Sequence, residues 1–326
     1  MKVIALLSGG LDSRLAVRVM THLGFEVLAL HFYTPFSSKE LSVVEETVKN
    51  VAQSLGATGC VIALGEEYLA MIKNPDNGYG GNLNPCIDCK ILMFSRAKAL
   101  LAEYGAQFLV TGEVLGQRPM SQYKDAMRRI EKASGTQGLV VRPLSGKILD
   151  ATIPEQNGWV DRSEMYDING RARTRQFELA RELNVVDYPW PGGGCLLTET
   201  SFCRKLKDII VHDELNSFTV ELLKSGRHLR LPSGRLATLG KNDAHNTKLL
   251  RIMRKTDIII GPRDEGGPYC LLDKTADDGD ITLAAGIVAR YTRKDAKIVI
   301  FVRKNGDEKL INATALGEVE TERMLL

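Results

Sequence analysis

The segment Ser8-Gly9-Gly10-Leu11-Asp12-Ser13 joins an apolar run, Val3–Leu7, to a stretch with helical periodicity. Strand, glycine turn and helix start in that order make an anion site. Glycine lets the backbone approach a phosphate closely, and the free amides and positive dipole end of the helix favour it. Ser8 and Ser13 can donate further hydrogen bonds, and Asp12 can bind a magnesium ion that accompanies phosphates. A bare Ser-Gly-Gly is explained equally well by a tight turn with a serine cap; the whole six-residue signature after a first strand is not. No GxxxxGK[ST] occurs and no GxGxxG follows a strand, which excludes the kinase-type loop and the dinucleotide fingerprint.

A second group is made of thiols. Cys86-Ile87-Asp88-Cys89 opens a predicted helix, because Lys90–Leu101 places Ile91, Phe94, Ala97 and Leu101 at helical spacing. Thiols three apart at a helix start face one side, in a field that lowers thiol pKa. Alone, such a pair is a redox couple, half a zinc site or nothing. Cys195 follows Gly192-Gly193-Gly194, which permits close backbone approach. Three cysteines fall short of a structural zinc site, for which Cys203 is the nearest extra candidate, but suffice for a 4Fe-4S cluster with one iron left open. Cys60, Cys203 and Cys270 are expected as small buried hydrophobes.

These groups need elements to position them. The 326 residues, 44% hydrophobic and 25% charged, suit an ordinary globular protein of two domains. No apolar run is long enough for a membrane span, and the N-terminal run is cut by glycines and an acid, so no export signal is read and the expected location is the cytoplasm. Val3–Leu7, Val27–Phe32, Gly59–Leu64 and Phe108–Val110 read as strands. Between them Leu15, Ala16, Val19, Met20 and Leu23, then Leu41, Val44, Val48, Val51 and Leu55, mark helix faces. This alternation predicts an α/β, parallel-sheet, Rossmann-like domain over residues 1–200, with its ligand at the carboxyl ends of the strands. Pro189-Trp190-Pro191-Gly192-Gly193-Gly194 stops the pattern. A smaller α+β domain is expected over 201–326, with strands such as Leu229–Leu231, Asp257–Ile260 and Lys297–Val302. Residues 201–255 hold 12 Lys and Arg against 5 Asp and Glu, a local excess of +7 in a chain whose net charge is +3. Such a block either grips RNA phosphates or forms a solvated charged face.

The Ser8–Ser13 pattern resembles the PP-loop of the ATP pyrophosphatase family, with its adenine nucleotide alpha hydrolase-like fold. Its members split ATP between the α and β phosphates to adenylate a carbonyl oxygen. Ala29–Phe32 with Pro35–Ser38, Leu109–Gln117 with Ser121-Gln122, and Arg142-Pro143-Leu144 are similar to segments of the tRNA 4-thiouridine synthetases. The resemblance implies an ATP and Mg2+ site in which Leu6, Leu7, Ser8, Gly9, Gly10, Asp12, Ser13, His31, Phe32, Gly112 and Gln122 line the pocket and Lys90 supplies a basic group. A strand-end His-Phe pair suits an adenine platform. It further implies that Cys195 folds back over this pocket beside Cys86 and Cys89. There the three thiols hold a 4Fe-4S cluster or, in the rival route, Cys195 carries a persulfide that Cys89 resolves.

The chain departs from that family in beginning its PP-loop at residue 8, so the usual N-terminal RNA-binding region is expected to be absent, as is a rhodanese extension. The sulfur donor is then sulfide or a separate persulfide carrier. The expected partner is tRNA, held by the basic block, with Arg171, Arg173 and Arg175 as further candidates. The chain's end is similar to the RNA-binding domain of ribosome-quality-control proteins. The expected activity is tRNA thiolation. A PP-loop ligase or amidotransferase acting on a small molecule, and a non-catalytic RNA-binding protein on a decayed nucleotide fold, are the two alternatives.

Overall fold

The computed structural model describes residues 1–189, 195–292 and 297–326; the Trp190–Gly194 part of the proline and glycine stretch lies outside them. The chain divides into two compact units, Met1–Glu199 and Thr200–Leu326.

The first unit is built on five parallel strands, β1 (Lys2–Leu6), β2 (Glu26–Tyr33), β3 (Thr58–Ala63), β4 (Leu109–Thr111) and β5 (Val140–Val141), in the order β3-β2-β1-β4-β5. β1 is central. Val3 pairs in register with Val27, and Ile4 with both Leu28 and Leu109. Val3, Ile4 and Ala5 are buried on both faces, as a parallel strand covered by helices must be. The helices are α1 (Leu11–His22), α2 (Leu41–Ser54), α3 (Glu66–Lys73), α4 (Cys86–Glu103), α5 (Lys124–Ser134), the single turn α6 (Ile153–Gln156) and α7 (Thr174–Glu182). α1 and α2 lay Leu11, Leu15, Val44, Val48 and Ala52 on the sheet face carrying Val3, Ala5, Val27 and Ala29. Each such leucine, once fully buried, contributes about 1.5–3 kcal/mol. Because β2 and β3 extend the sheet on one side of β1 and β4 and β5 on the other, strand order reverses beside β1. That crevice is where open α/β sheets bind ligands.

The second unit is α+β. Helices α8 (Thr200–Val211), α9 (Ser217–Leu223), α10 (Asp243–Ile252), α11 (Asp278–Thr292) and α12 (Glu318–Met324) accompany six strands: β6 (Arg227–Arg230), β7 (Leu236–Leu239), β8 (Ile258–Pro262), β9 (Cys270–Leu272), β10 (Lys297–Lys304) and β11 (Asp307–Thr314). All pairings are antiparallel, in the order β11-β10-β8-β9-β7-β6. The small residues Ala284, Ala285 and Ala289 let α11 lie close against Ile258, Ile260, Ile300 and Val302. On the opposite face Leu222 and Leu249, from α9 and α10, pack on Ile259, Leu271 and Phe301. β8 is therefore an unbroken apolar run because both of its faces are covered. No described helix is long and apolar enough to cross a membrane.

Candidate active site

The Ser8–Ser13 loop stands at the carboxyl end of β1. Gly9 has φ +87°, a left-handed conformation that a side chain would strain, and this turns the chain into α1. The cap residue Gly10 offers no side chain, so nothing caps the first-turn amides. Such first-turn amides can donate to an anion. The loop is braced from within and from outside: Ser8 Oγ donates to Ser13 Oγ at 3.2 Å, Ser13 Oγ to Gly10 O at 2.8 Å, and Arg14 Nε to Gly9 O at 2.9 Å. Arg14 Nη1 also donates to Asp187 O at 3.2 Å, holding the segment after α7 against α1.

β4 ends beside this loop. Gly112 abuts the Asp12–Ser13 peptide so tightly that a Cβ there would meet backbone atoms. The Asp12 carboxylate accepts a hydrogen bond on Oδ2 from Gln117 Nε2 at 2.6 Å, and Arg173 Nη2 stands 4.0 Å from the same oxygen. Asp12 Oδ1 is buried and has no partner. An orphaned carboxylate oxygen beside uncapped amides is the donor that magnesium with a polyphosphate requires, so Asp12 fits the ion.

His31 Nδ1 lies 2.8 Å from Leu7 O, so Nδ1 carries the proton and Nε2 presents a lone pair. Burial lowers the His31 pKa against that hydrogen bond, and the ring is neutral. Leu6 is half-buried and Leu7 buried. Strand alternation puts His31 and Phe32 on opposite faces of the sheet, and Phe32 is buried, so the two do not make a single platform. Gln122 is buried with its Oε1 unpartnered.

Lys90 is not a loose cation. Its amine pairs with Glu113, whose other oxygen accepts from Arg142 Nε at 2.8 Å, and Arg142 Nη1 reaches Glu131 at 2.6 Å. Burial alone would raise the Glu113 carboxyl, but Lys90 and Arg142 override it and hold the pKa down at about 2. This buried array ties the residue after Cys89 to the residue after Gly112.

Cys86 and Cys89 open α4 as the spacing predicts. Cys86 Sγ donates to Asn84 Oδ1 at 3.1 Å, and Cys89 Sγ is 3.3 Å from the hydroxyl of Tyr68, a buried residue of α3. Cys86, Cys89 and the exposed Cys195 all lie within electrostatic reach of that hydroxyl, whose pKa is raised by burial first and then by the thiols. The helix-start field does not decide the state of Cys89: burial pushes its thiol up to about 11, against the hydrogen bond from Tyr68. The thiols gather, yet among the described residues no three His, Cys, Asp or Glu side chains form a group able to hold a metal ion. The residues supply the donor chemistry of a cluster without its ligating arrangement. Cys203 and Cys270 are buried, whereas Cys60 is half-buried, 3.7 Å from the Tyr104 hydroxyl.

Glu113, Gln117, Tyr68 and Gln176 are the residues that sequence reasoning left out. The first two sit in the motif that carries Gly112, which was the available signal; Tyr68 and Gln176 have none.

In the second unit much of the basic block is spent on structure. Arg230 pairs with Asp208 and Glu214, Arg254 with Asp257 and Asp273, and both Lys224 and Lys248 with Glu221. Arg227 lies over the Tyr291 ring. Lys207, Arg235, Lys241 and Lys255 are exposed and pair with no acid among the described residues. Near the loop, Arg175 pairs with Glu178 and Glu182.

A family model described as Thiamine biosynthesis protein (ThiI) matches residues 1–153. The matched segment holds the loop, Gly112 and the Cys86–Cys89 pair. Residues 226–324 match a second model, the NFACT protein RNA binding domain. The chain is 32% identical over 184 residues to the "Probable tRNA sulfurtransferase" of Thermococcus kodakarensis, covering 55% of this chain and 42% of that one. It is 31% identical over 146 residues to the "tRNA sulfurtransferase" of Erwinia tasmaniensis, covering 44% and 28%. The match thus spans less than half the length of these curated relatives. A solved "4-thiouridine synthetase - RNA complex with bound ATP" aligns with TM-score 0.37 and 22% identity over 56% of this chain and 51% of that one.

Proposed function

We propose that this protein is an ATP-dependent tRNA sulfurtransferase, and that it works by adenylation. The first-turn amides of α1 and the Ser8 and Ser13 hydroxyls bind the phosphates of ATP, with Arg173 beside them. Asp12 Oδ1 would hold Mg2+, which when bound neutralises charge on the departing pyrophosphate. The lone pair of His31 Nε2 suits an adenine amino group. A uridine carbonyl oxygen attacks the α phosphorus, pyrophosphate leaves, and a sulfur nucleophile then displaces AMP, forming C–S as C–O breaks.

The observation that carries this reading is that Cys89 lies 3.3 Å from the Tyr68 hydroxyl with Cys86 and Cys195 within electrostatic reach of it, and that Cys86 and Cys89 open a helix tied through Lys90 to Glu113, the residue after Gly112. A nucleotide site alone has no use for three thiols. Sulfur is handled at those thiols, as a persulfide on Cys195 resolved by Cys89 or at a 4Fe-4S cluster on all three; no step here depends on the cluster. The names of the relatives support tRNA as the acceptor. The match of residues 226–324 to an RNA-binding model supports the second unit as its holder, through cations such as Arg235, Lys241 and Lys255, with the exposed Lys207 outside the matched segment as a further candidate.

The test is a Cys86→Ser, Cys89→Ser and Cys195→Ser series assayed for tRNA-stimulated release of AMP and pyrophosphate and for thiolated nucleoside. All three variants should release AMP yet lose thiolation if a cluster operates. Thiolation that survives in Cys86→Ser alone selects the persulfide. A ligase or amidotransferase would tolerate the whole series, and a non-catalytic RNA binder would release no AMP.

A further inference from the structure

Asp12 is held by a chain of two amides. Its Oδ2 accepts from Gln117 Nε2 at 2.6 Å, and Gln117 Oε1 accepts from Gln176 Nε2 at 2.9 Å. The polarity of this chain is forced. A carboxylate only accepts, so Gln117 must turn its amino group to Asp12, and its oxygen then requires a donor. Gln176, from α7, supplies that donor. Its side chain is fully buried, and its own Oε1 has no partner. A buried amide oxygen left unsatisfied is a cost that an apolar side chain of similar size would avoid. The backbone around α7 is fastened to α1 as well, through Arg18 Nε donating to Leu183 O at 3.1 Å and Arg14 donating to Asp187 O.

We propose that Gln117 and Gln176 are positioning residues: together they fix the Asp12 carboxylate with Oδ2 occupied, leaving the orphaned Oδ1 for the divalent cation that enters with the nucleotide. The inference rests on the nucleotide reading of the loop and adds two residues and a direction of polarity to it. It also gives α7, outside the segment matched to the ThiI model, a part in the loop's chemistry.

The directionality supplies the test. In Gln176→Met the side chain keeps its length and neither donates nor accepts strongly, so the Gln117 amino group stays drawn to Asp12. In Gln176→Glu, titrated at pH about 9 because burial close to Asp12 raises a carboxyl, the ionised side chain only accepts. It pulls the Gln117 amino group away and turns the Gln117 oxygen toward Asp12, where two acceptors repel. Gln117→Leu removes the donor to Asp12 outright. Full-length wild type and the three variants are titrated with ATP in the presence of Mn2+ and, separately, of EDTA; bound Mn2+ is read by electron paramagnetic resonance, and thermal unfolding checks folding.

Loss of a hydrogen bond to a charged group predicts that Mn2+-dependent ATP binding weakens about tenfold or more in Gln117→Leu and Gln176→Glu. Gln176→Met should lose at most about threefold, and metal-free binding should change little in any folded variant. Gln176→Glu binding Mn2+ and ATP as wild type does would overturn the inference. So would Gln176→Met losing as much as Gln176→Glu, which marks a packing role. Wild type that binds no ATP under either condition would instead overturn the nucleotide reading itself.

Discussion

Substituting Gly112 by alanine should displace the loop that carries Asp12. The added Cβ would lie 2.5 Å from the Ser13 amide nitrogen and closer still to the carbonyl carbon and oxygen of Asp12, where ordinary contact begins at 3.4 Å. All three neighbours are backbone, so no rotamer change relieves the clash. The end of β4 and the first turn of α1 must separate by about 1 Å. Overpacking of this kind costs about 1–3 kcal/mol, and a misplacement near 1 Å at a site that positions reacting groups costs roughly a hundredfold. ATP affinity measured by titration calorimetry should therefore fall about 10- to 100-fold, with a lowered unfolding temperature. Gly81→Ala, where an added Cβ meets nothing within 4 Å, is the control and should change neither. Wild-type affinity and stability in Gly112→Ala would refute the close approach of β4 to the loop.

The Glu113 carboxyl, held at about 2 when folded against an ordinary value near 4.5, favours folding at pH above about 4.5. That contribution, up to about 3 kcal/mol, should fade as pH falls toward 2. Denaturant unfolding should show the loss in wild type; Glu113→Gln, which leaves Lys90 without its acid and Arg142 with Glu131 alone, should cost about 3–5 kcal/mol at pH 7, and a neutral result there would refute the array. Tyr68→Phe removes a donor to Cys89 and should raise that thiol's pKa further, slowing its alkylation at pH 9 as followed by mass spectrometry; an unchanged or faster rate would contradict the contact. In the second unit, Lys207→Ala, Arg235→Ala and Lys241→Ala should each lower RNA affinity and reduce its salt slope by about 1. Arg230→Ala, which breaks pairs with Asp208 and Glu214, should act mainly on unfolding temperature, and the reverse pattern would argue against the exposed cations as the RNA grip.

β-branched apolar runs made β1 to β4, β8 and β10 legible, because strands covered on at least one face need them. β5 and β9 are two and three residues long and leave no period to read. β11 carries Asp307, Glu308, Lys309 and Asn312, the polarity of an exposed sheet edge, and is recognisable only through its pairing with β10. At the site, the loop was legible because its chemistry is local: glycines, serines and an acid within six residues. The gathering of Cys195 with Cys86 and Cys89 was expected from family resemblance, since nothing in the spacing of residues so far apart demands it. Tyr68 and Gln176 were invisible because single residues on helices become partners only through packing. The thiol field was misjudged for the same reason: burial, which has no local signature, outweighs the helix start at Cys89. The charge of the basic block was countable, but which cations are spent on Asp208, Glu214, Glu221, Asp257 and Asp273 was not.

The most direct measurement incubates the protein anaerobically with unmodified tRNA, ATP, Mg2+, iron and a sulfide source, and examines the digested nucleosides by mass spectrometry. The account predicts a thiouridine that depends on ATP and disappears in Asp12→Ala and in Cys89→Ser. Unmodified uridine throughout, with AMP and pyrophosphate still produced from ATP, would contradict tRNA thiolation and leave an adenylating enzyme with a different acceptor.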